Sequence, residues 1–182
     1  MSVTVSINQD DLTTALRGFL LSVVDTNVVE LGQQNRVPMP DADNFVIMTP
    51  IGQFGLSTNR VEYDDNGLPG QGKQLNSRST RWSCQIDCYG ERASSYASII
   101  GTLVRSDYAC EWFAENGRII TPLYCTEPHQ TAMINGEQQY EDRWTMEFIG
   151  QYNPIVTTPR DFIDNITVGV IAADLKYPPE NA

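Results

Sequence analysis

The stretch at residues 81–117 constrains the fold more than any other, because its hydrophobic period changes once and abruptly. Its first part, RWSCQIDCYG, alternates between polar and apolar side chains. This period of two is typical of a β-strand that buries one of its faces. Gly90 is expected to end the strand, whose apolar side chains are Trp82, Cys84, Ile86 and Cys88.

The residues after Gly90 change to the period of an α-helix. Ser106 and Asp107 predict either a kink or the start of a second, shorter helix, and Asn116 with Gly117 predicts the helix end. A strand followed by a helix that folds back on it buries both apolar faces, so we place the core here. The helix that directly follows Gly90 carries one apolar stripe, formed by Tyr96, Ile99, Ile100, Leu103 and Val104.

The N-terminal region predicts another amphipathic helix. Asn8 with Asp10 and Asp11 offers an N-cap and negative charge at a helix start. Gly18 lies inside the helical pattern, where glycine costs about 1 kcal/mol relative to alanine, so we expect close packing there. The helix should end near residues 25–27, and its stripe is Leu12, Ala15, Leu16, Phe19, Leu20 and Val23.

The remaining strands are expected to form a mostly antiparallel sheet. The alternation of Trp144, Met146 and Phe148 mirrors the strand of Trp82, so we place these two strands close together. Asn135 and Gly136 form a strong hairpin-turn signal. The other expected strands cover residues 44–50, their continuation to 63 after a bend at Gly52 and Gly55, residues 119–124, and a last strand carrying Phe162, Ile166, Val168, Val170 and Ile171.

Three further segments have weaker patterns. Residues 28–43 and 126–132 are expected to be loops, and residues 174–182 a flexible tail. The opening residues 3–7 alternate, which favours an arm or an edge strand. Together the patterns predict one α+β domain over residues 1–182, with an antiparallel sheet packed by an N-terminal helix and a central helix.

Charge and hydropathy exclude several classes of function. The 182 residues carry a net charge of −11, which disfavours tight wrapping of nucleic acid because that binding depends on basic side chains. A surface past which DNA slides without binding remains compatible with it. The sequence has neither an apolar run of the roughly 18 residues needed to span a membrane nor a secretion signal, so we expect a cytoplasmic protein with no membrane partner.

The four cysteines do not have the spacing of metal ligands. Cys84 and Cys88 share a strand face but lie roughly 13 Å apart along it. Zinc needs its sulfur ligands at about 2.3 Å, usually from a Cys-x-x-Cys turn. Cys125 and His129 have the same extended spacing around a proline. We therefore predict buried, reduced thiols and no metal or cofactor.

Residues 64–80 form the longest polar, glycine-rich stretch, and we expect a long flexible hairpin loop there. Gly67, Gly72 and Lys73 match the first part of a phosphate-binding loop. The match fails at Gln74, where Ser or Thr should hold magnesium, and no apolar strand precedes the motif. A loop that becomes ordered on a partner explains the stretch better than nucleotide binding.

No arrangement of residues predicts catalysis. The one histidine, His129, has no nucleophile near it in the sequence and is expected at the surface. Pairs of carboxylates such as Asp64-Asp65 lie at turns or helix starts, where capping explains them more simply than acid–base chemistry. We predict that the protein is not an enzyme and has no catalytic residues.

With these elements placed, the chain resembles the tail-terminator or neck-terminator proteins of contractile-tailed bacteriophages. The resemblance spans about residues 11–159. The segments that carry it are DLTTALRGFLLSVV, FVIMTPIG, WSCQIDCYG, YASIIGTLV and RWTMEFIGQYNP.

The resemblance implies a virion subunit that assembles, usually as a hexameric ring, at the junction of tail and neck. Such a ring would contact tail tube, sheath and collar proteins and leave an open channel through which DNA passes. A head-completion or connector protein, commonly in twelve-fold rings, is the alternative, and an undiscovered hydrolase is the third. The predicted partner contacts are Leu68, Lys73, Leu75 and Arg78 in the loop, Val3 and Val5 in the N-terminal arm, and Tyr177 in the tail.

Overall fold

The computed structural model describes residues 2–33, 38–68, 70–134, 140–162 and 168–169. Its helices are α1 (Gln9–Val23), α2 (Ala93–Leu103) and α3 (Asp107–Glu115). Its strands are β1 (Thr4–Val5), β2 (Val29–Leu31), β3 (Phe45–Gly55), β4 (Arg60–Asp64), β5 (Lys73–Ser77), β6 (Thr80–Tyr89), β7 (Thr121–Cys125), β8 (His129–Gln130), β9 (Met133–Ile134), β10 (Tyr140–Glu141), β11 (Arg143–Tyr152) and β12 (Ile155–Pro159).

The larger sheet has six strands in the order β2-β3-β6-β11-β7, with β8 also paired to β11. Strands β6 and β11 lie side by side in antiparallel register, with Trp144 opposite Cys88 and Phe148 opposite Cys84. This confirms the predicted neighbourhood of the two alternating strands. All pairings except that of β2 with β3 are antiparallel, so the predicted α+β class is confirmed.

The three helices enclose the main apolar cluster against one face of this sheet. Phe19 of α1 stacks on Phe113 of α3 with ring centroids 5.2 Å apart, and Phe113 in turn contacts Phe148 of β11. The predicted inward face of β6 is buried there as expected: Trp82, Cys84, Ile86 and Cys88. The central helix is confirmed, although Ile99 of its predicted stripe is 39% exposed.

The helix ends follow the capping residues. Asn8 and Asp11 form a reciprocal capping box at the start of α1, with backbone-to-side-chain distances of 2.8 and 2.9 Å. Ser106 precedes α3 as predicted, but its hydroxyl donates to the carbonyl of Leu103 instead of capping. After α3, Gly117 has a φ of +96°, as expected for the residue that ends a helix.

Gly90 forms the turn between β6 and α2, and no other residue fits this position. Its φ is +94°, and a Cβ atom there would lie 1.9 Å from the carbonyl oxygen of Asp43. Glycine alone adopts such a backbone without steric cost. The predicted strand end at Gly90 therefore joins the central strand tightly to the helix that covers it.

Two segments predicted as loops contain short strands. Within residues 28–43, β2 pairs in parallel with β3, Val29 lying opposite Val46. Within residues 126–132, β8 pairs with β11. Both loop predictions were wrong at these strands, because two or three residues are too few to show a period in the sequence. The tertiary pairing with a longer strand stabilises them.

The predicted loop at residues 64–80 is largely a β-hairpin. Strand β5 occupies Lys73–Ser77 and pairs with β4, so the connecting turn is shorter than predicted. In the turn, Asp65 accepts from the backbone N–H of Gly67, which lies in the left-handed region. Strand β5 escaped prediction because KQLNS contains a single large apolar side chain and thus shows no alternation.

The C-terminal strand was also placed wrongly. The observed strand β12 covers Ile155–Pro159, whereas Phe162 and Val168 of the predicted strand lie outside any strand. Pro154 precedes β12 and Pro159 is its last residue. The sequence did not predict this strand, since proline in a short run argues against a strand. Other predicted features lie outside the described residues: Asn135, Gly136, Ile166, Val170, Ile171 and the tail at residues 174–182.

Candidate interaction surface

A second, four-stranded sheet lies apart from the helices, in the order β1-β12-β5-β4. Strand β4, which follows β3 in the chain, belongs to this second sheet. The prediction that the first sheet continues to residue 63 was therefore wrong. None of the described residues in its strands belongs to either buried apolar cluster. Strands β1 and β4, which form its two edges, are exposed along their whole length. Its two edges are thus accessible to partners, while the central strand β5 is half-buried throughout.

The sheet collects four of the seven predicted partner residues. Strand β12 links the N-terminal arm to the hairpin, because it pairs with β1 on one side and β5 on the other. The register places these four residues on the two opposite faces of the sheet. Val5 is aligned with Val156 and Asn76 on the first face, and Leu75 is aligned with Thr157 on the second. By strand alternation Val3 shares the first face with Val5, and Lys73 shares the second with Leu75.

The other three predicted residues lie elsewhere. Leu68 is 52% exposed and lies in the turn of the β4–β5 hairpin. The guanidinium of Arg78 contacts its own chain beside Gly55, where a Cβ atom would lie about 3.0 Å from it. Arg78 itself is exposed. Tyr177 lies outside the described residues.

The first face of the sheet carries a patch of exposed apolar side chains. Val61 and Tyr63 of β4 are 44% and 60% exposed, and the register places Val61 opposite Asn76 on the face of Val5. Neither residue was among the predicted partner contacts, although RVEYD alternates with the period of a strand. We call this set the apolar face: Val3, Val5, Val61, Tyr63 and Val156.

The second face is polar and forms a shallow groove of about 480 Å³. Lys73 and Asp64 are aligned across β5 and β4 in this groove, so their opposite charges lie on neighbouring strands. Its remaining lining comes from Ser2, Thr4, Leu75, Thr157 and Pro159. Lys73 begins a strand and not a helix, which is not the geometry of a phosphate-binding loop.

The residues considered for chemistry are scattered. His129 is exposed in β8, Asp11 caps α1 and Asp65 caps its own turn. In the described part of the chain, no group of three or more His, Cys, Asp or Glu side chains is placed to hold a metal ion. A cleft of about 940 Å³ lies beside Gly90 and is acidic, with Asp41, Asp43, Glu91, Glu141 and Asp142 in its lining.

The cysteines are free, and burial controls their reactivity. Desolvation raises the pKa of Cys84, Cys88 and Cys125 from 9.0 to about 12 in each case. A raised pKa keeps the thiol protonated at neutral pH, and only the thiolate is an effective nucleophile or metal ligand. Cys110 is exposed, so the prediction of buried thiols was wrong at this one cysteine.

None of the described helices is both long enough and apolar enough to cross a membrane.

Residues 10–174 match the family of phage neck terminator proteins. The match covers most of the 182 residues, and the chain belongs to this family, which is a family of structural phage proteins and not of enzymes. The chain has no significant match among curated proteins. Membership identifies it as a virion protein of the phage neck that associates with other neck and tail proteins.

Proposed function

We propose that this protein forms a ring, most simply a hexamer, that ends the tube and sheath of a contractile tail and joins them to the neck. The observation that carries the proposal is the family match over residues 10–174. The ring would assemble in the host cytoplasm and leave an open channel for DNA. A twelve-fold connector at the same junction is the competing assignment.

The shape of the protomer supports a role in assembly. The four-stranded sheet exposes both of its edge strands along their whole length, and the described residues of its strands lie outside both buried apolar clusters. A domain whose sheet lacks a covering layer has surface available for other subunits. We propose that the apolar face, the hairpin turn at Leu68 and the groove at Lys73 and Leu75 contact ring neighbours, tube, sheath or collar proteins. Arg78 and Tyr177 remain candidates of the same kind.

The charge of the protein supports passage of DNA without binding. With 23 acidic against 12 basic side chains, the surface repels phosphates at a distance set by the salt concentration. The cleft beside Gly90 is lined by five carboxylates, which would repel the DNA backbone wherever it faced the channel. DNA should therefore slide through the ring with little adhesion.

Electron microscopy of the purified protein, with mass from light scattering, tests the ring. The expected result is a six-fold particle with a central hole and six times the 20.4 kDa of one chain. Twelve-fold rings would overturn the terminator assignment in favour of a connector. If the protein is a monomer alone, purified tail tubes are added, and a protein that stays monomeric and unbound contradicts the proposal.

Leu68 offers a test of the hairpin turn as a docking site. Its backbone hydrogen-bonds to Asn66 and Gln71 and its side chain is 52% exposed, so Leu68→Asp should leave the fold intact. We expect weaker co-sedimentation with purified tails. Thr58→Asp, at another exposed loop position, is the matched control and should bind like the unmodified protein. Equal binding by both variants would exclude the turn.

A further inference from the structure

We propose that β4 of one copy pairs with β1 of the next copy, so that the four-stranded sheets join edge to edge around the assembly. Val61 would lie opposite Val5 of the neighbour, and Tyr63 opposite its Val3. The proposal rests on the proposed function for the existence of a ring. It adds which edges form the contact, their direction and their register.

The free edge of β1 exposes the backbone groups of two valines. The N–H of Ser6 donates to the carbonyl of Ile155 at 3.0 Å, beside the aligned pair of Val5 and Val156. In an antiparallel ladder such a bond flanks a non-hydrogen-bonded pair. The N–H and C=O of Val5 therefore point away from β12. Val3 precedes β1, and continuing the alternation by two residues would give it the same direction.

Farther across the sheet, one backbone hydrogen bond determines which residues of β5 bond to β12 and which bond to β4. The N–H of Arg160 donates to the carbonyl of Gly72 at 2.9 Å, beside the aligned pair of Pro159 and Lys73. That pair is also of the non-hydrogen-bonded type, as the missing N–H of proline requires. The backbone groups of Lys73 consequently face β4.

The free edge of β4 follows from this alternation. Lys73 is aligned with Asp64, and its backbone groups bond there, so Asp64 and every second residue before it bond to β5. The backbone groups of Val61 and Tyr63 are left pointing outward. Both free edges of the sheet thus expose N–H and C=O groups at two residues spaced i and i+2.

The strand direction and the side-chain faces are compatible between the edge of β4 and the edge of β1. The order β1-β12-β5-β4 is antiparallel throughout, so placing β1 of a neighbour beside β4 continues the alternation. All four outward residues have their side chains on the apolar face, and joining the edges would make that face continuous with Val156 of the neighbour. On the polar face, the charged residues of β4 would meet only hydroxyl side chains, with Arg60, Glu62 and Asp64 opposite Ser6, Thr4 and Ser2.

The edges of the larger sheet are less suited to pairing, because arginines occupy them. Arg17 donates through Nε to the carbonyl of Val29 in β2 at 2.7 Å. Arg105 donates through Nη2 to the carbonyl of Cys125 in β7 at 2.6 Å. Charged side chains of this kind block edge-to-edge addition. Within the described residues, no side chain bonds to the backbone of β4.

An edge-to-edge pair has the form of a head-to-tail contact, since β1 and β4 are different surfaces of one protomer. Contacts of this type close into rings when the rotation between copies is suitable. Exposed edges that pair by backbone hydrogen bonds and alternate side-chain contacts are an established mode of strand addition. The same contact repeated at each subunit would account for both exposed edges of the sheet.

Disulfide trapping tests the contact. In a Cys110→Ser background, the double variant Val5→Cys with Val61→Cys should form a reducible ladder of cross-linked chains on a gel. Opposed residues of a hydrogen-bonded pair lie about 5.5 Å apart at Cα, a distance that a disulfide spans. Val5→Cys with Glu62→Cys is the matched control, because Glu62 lies on the opposite face, and it should give no ladder.

Single variants separate contacts between copies from contacts within one chain. A mixture of Val5→Cys and Val61→Cys chains should give a cross-linked dimer, whereas either variant alone should not. A Val61→Pro variant removes one outward N–H and should abolish the oligomer while its thermal midpoint stays near that of the unmodified protein. Glu62→Pro removes an N–H that bonds to β5 and should instead lower the thermal midpoint.

The outcomes distinguish this contact from the proposed function. If the unmodified protein forms rings but no Val5–Val61 cross-link appears between chains, the edge contact is overturned and the ring function stands. A cross-link confined to a single chain also overturns it. If the protein remains monomeric at every concentration and on purified tails, with no ladder, both the ring and the contact are overturned.

Discussion

Arg143 of β11 forms an ion pair with Asp87 of β6 on the sheet face that the helices do not cover. Its Nε and Nη2 donate to Oδ1 of Asp87 at 3.1 and 3.0 Å. Asp87 also accepts from the hydroxyl of Thr145 and the amide of Gln85. The Asp87 side chain is only 4% exposed, so this network satisfies a charge that would otherwise be costly to bury.

Replacing Asp87 with alanine should lower the free energy of unfolding by about 2–3 kcal/mol. The change leaves the partly buried Arg143 without its counter-ion, and the partial exposure of Arg143 reduces the loss below that of a fully buried pair. Urea unfolding followed by circular dichroism measures the difference. Asp25→Ala is the control, since Asp25 pairs with Arg92 at the surface and should change stability little. Equal stability of both variants would contradict the assigned role of the network.

The two helix glycines should respond oppositely to substitution. A Cβ atom on Gly18 of α1 would lie 3.1 Å from the ring of Trp112, whereas one on Gly101 of α2 would lie 3.5 Å from Pro128. We expect Gly18→Leu to destabilise the protein by about 1–3 kcal/mol through overpacking. Gly101→Ala should stabilise it by up to about 1 kcal/mol through helix propensity. Thermal unfolding of the two variants checks both signs.

One cysteine should react in the folded protein and four in the unfolded protein. Cys110 is exposed, while Cys84, Cys88 and Cys125 are buried with a pKa raised to about 12. A colorimetric thiol reagent at pH 8 should therefore modify one thiol rapidly and the other three only in denaturant. The Cys110→Ser variant should lose the rapid phase. Rapid reaction of a second thiol would contradict the packing of β6 and β7.

Stability should fall at alkaline pH because of the same buried thiols. Their pKa in the fold, about 12, exceeds the ordinary value of 9.0, so the unfolded chain releases protons that the folded chain keeps. The stabilisation is complete below pH 9 and is lost as the pH rises toward 12, by up to about 1.4 kcal/mol per pH unit for each thiol.

Urea unfolding between pH 8 and 11 measures this slope. Cys88→Ala removes one of the buried thiols, so the decline above pH 9 should be shallower than in the unmodified protein. Burial also raises the pKa of Tyr89, but this tyrosine is present in both proteins. Identical slopes in the two proteins would show that Cys88 does not ionise on unfolding.

Long periodic segments predicted their own structure well. The alternation around Trp82 and Trp144 predicted both central strands and their adjacency, and the capping residue Asn8 predicted the start of α1. These predictions succeeded because ten or more residues with one buried face leave a clear period. Asp87 was predicted only as an outward residue, and its partner Arg143, 56 positions later, gave no sequence signal.

The candidate surface was predicted in pieces and not as a unit. The sequence predicts Val3 and Val5 in an apolar N-terminal arm, and Lys73 and Leu75 in a loop. Strand β12 pairs with both β1 and β5, so these residues belong to one sheet. The sequence did not predict β12 because Pro154 precedes it and Pro159 ends it. Val61 and Tyr63, which complete the apolar face, were assigned to the wrong sheet.

The sequence by itself determined the fold class, the helices, the faces of the two long strands and the absence of a recognisable catalytic motif. Each of these depends on side chains near one another along the chain, where period, capping and composition carry the information. Only the tertiary structure decided the short strands, the buried ion pair and the separate sheet with its exposed edges. These arise from backbone pairing between distant segments, and backbone hydrogen bonds are the same for every residue except proline, so the side-chain sequence records them weakly.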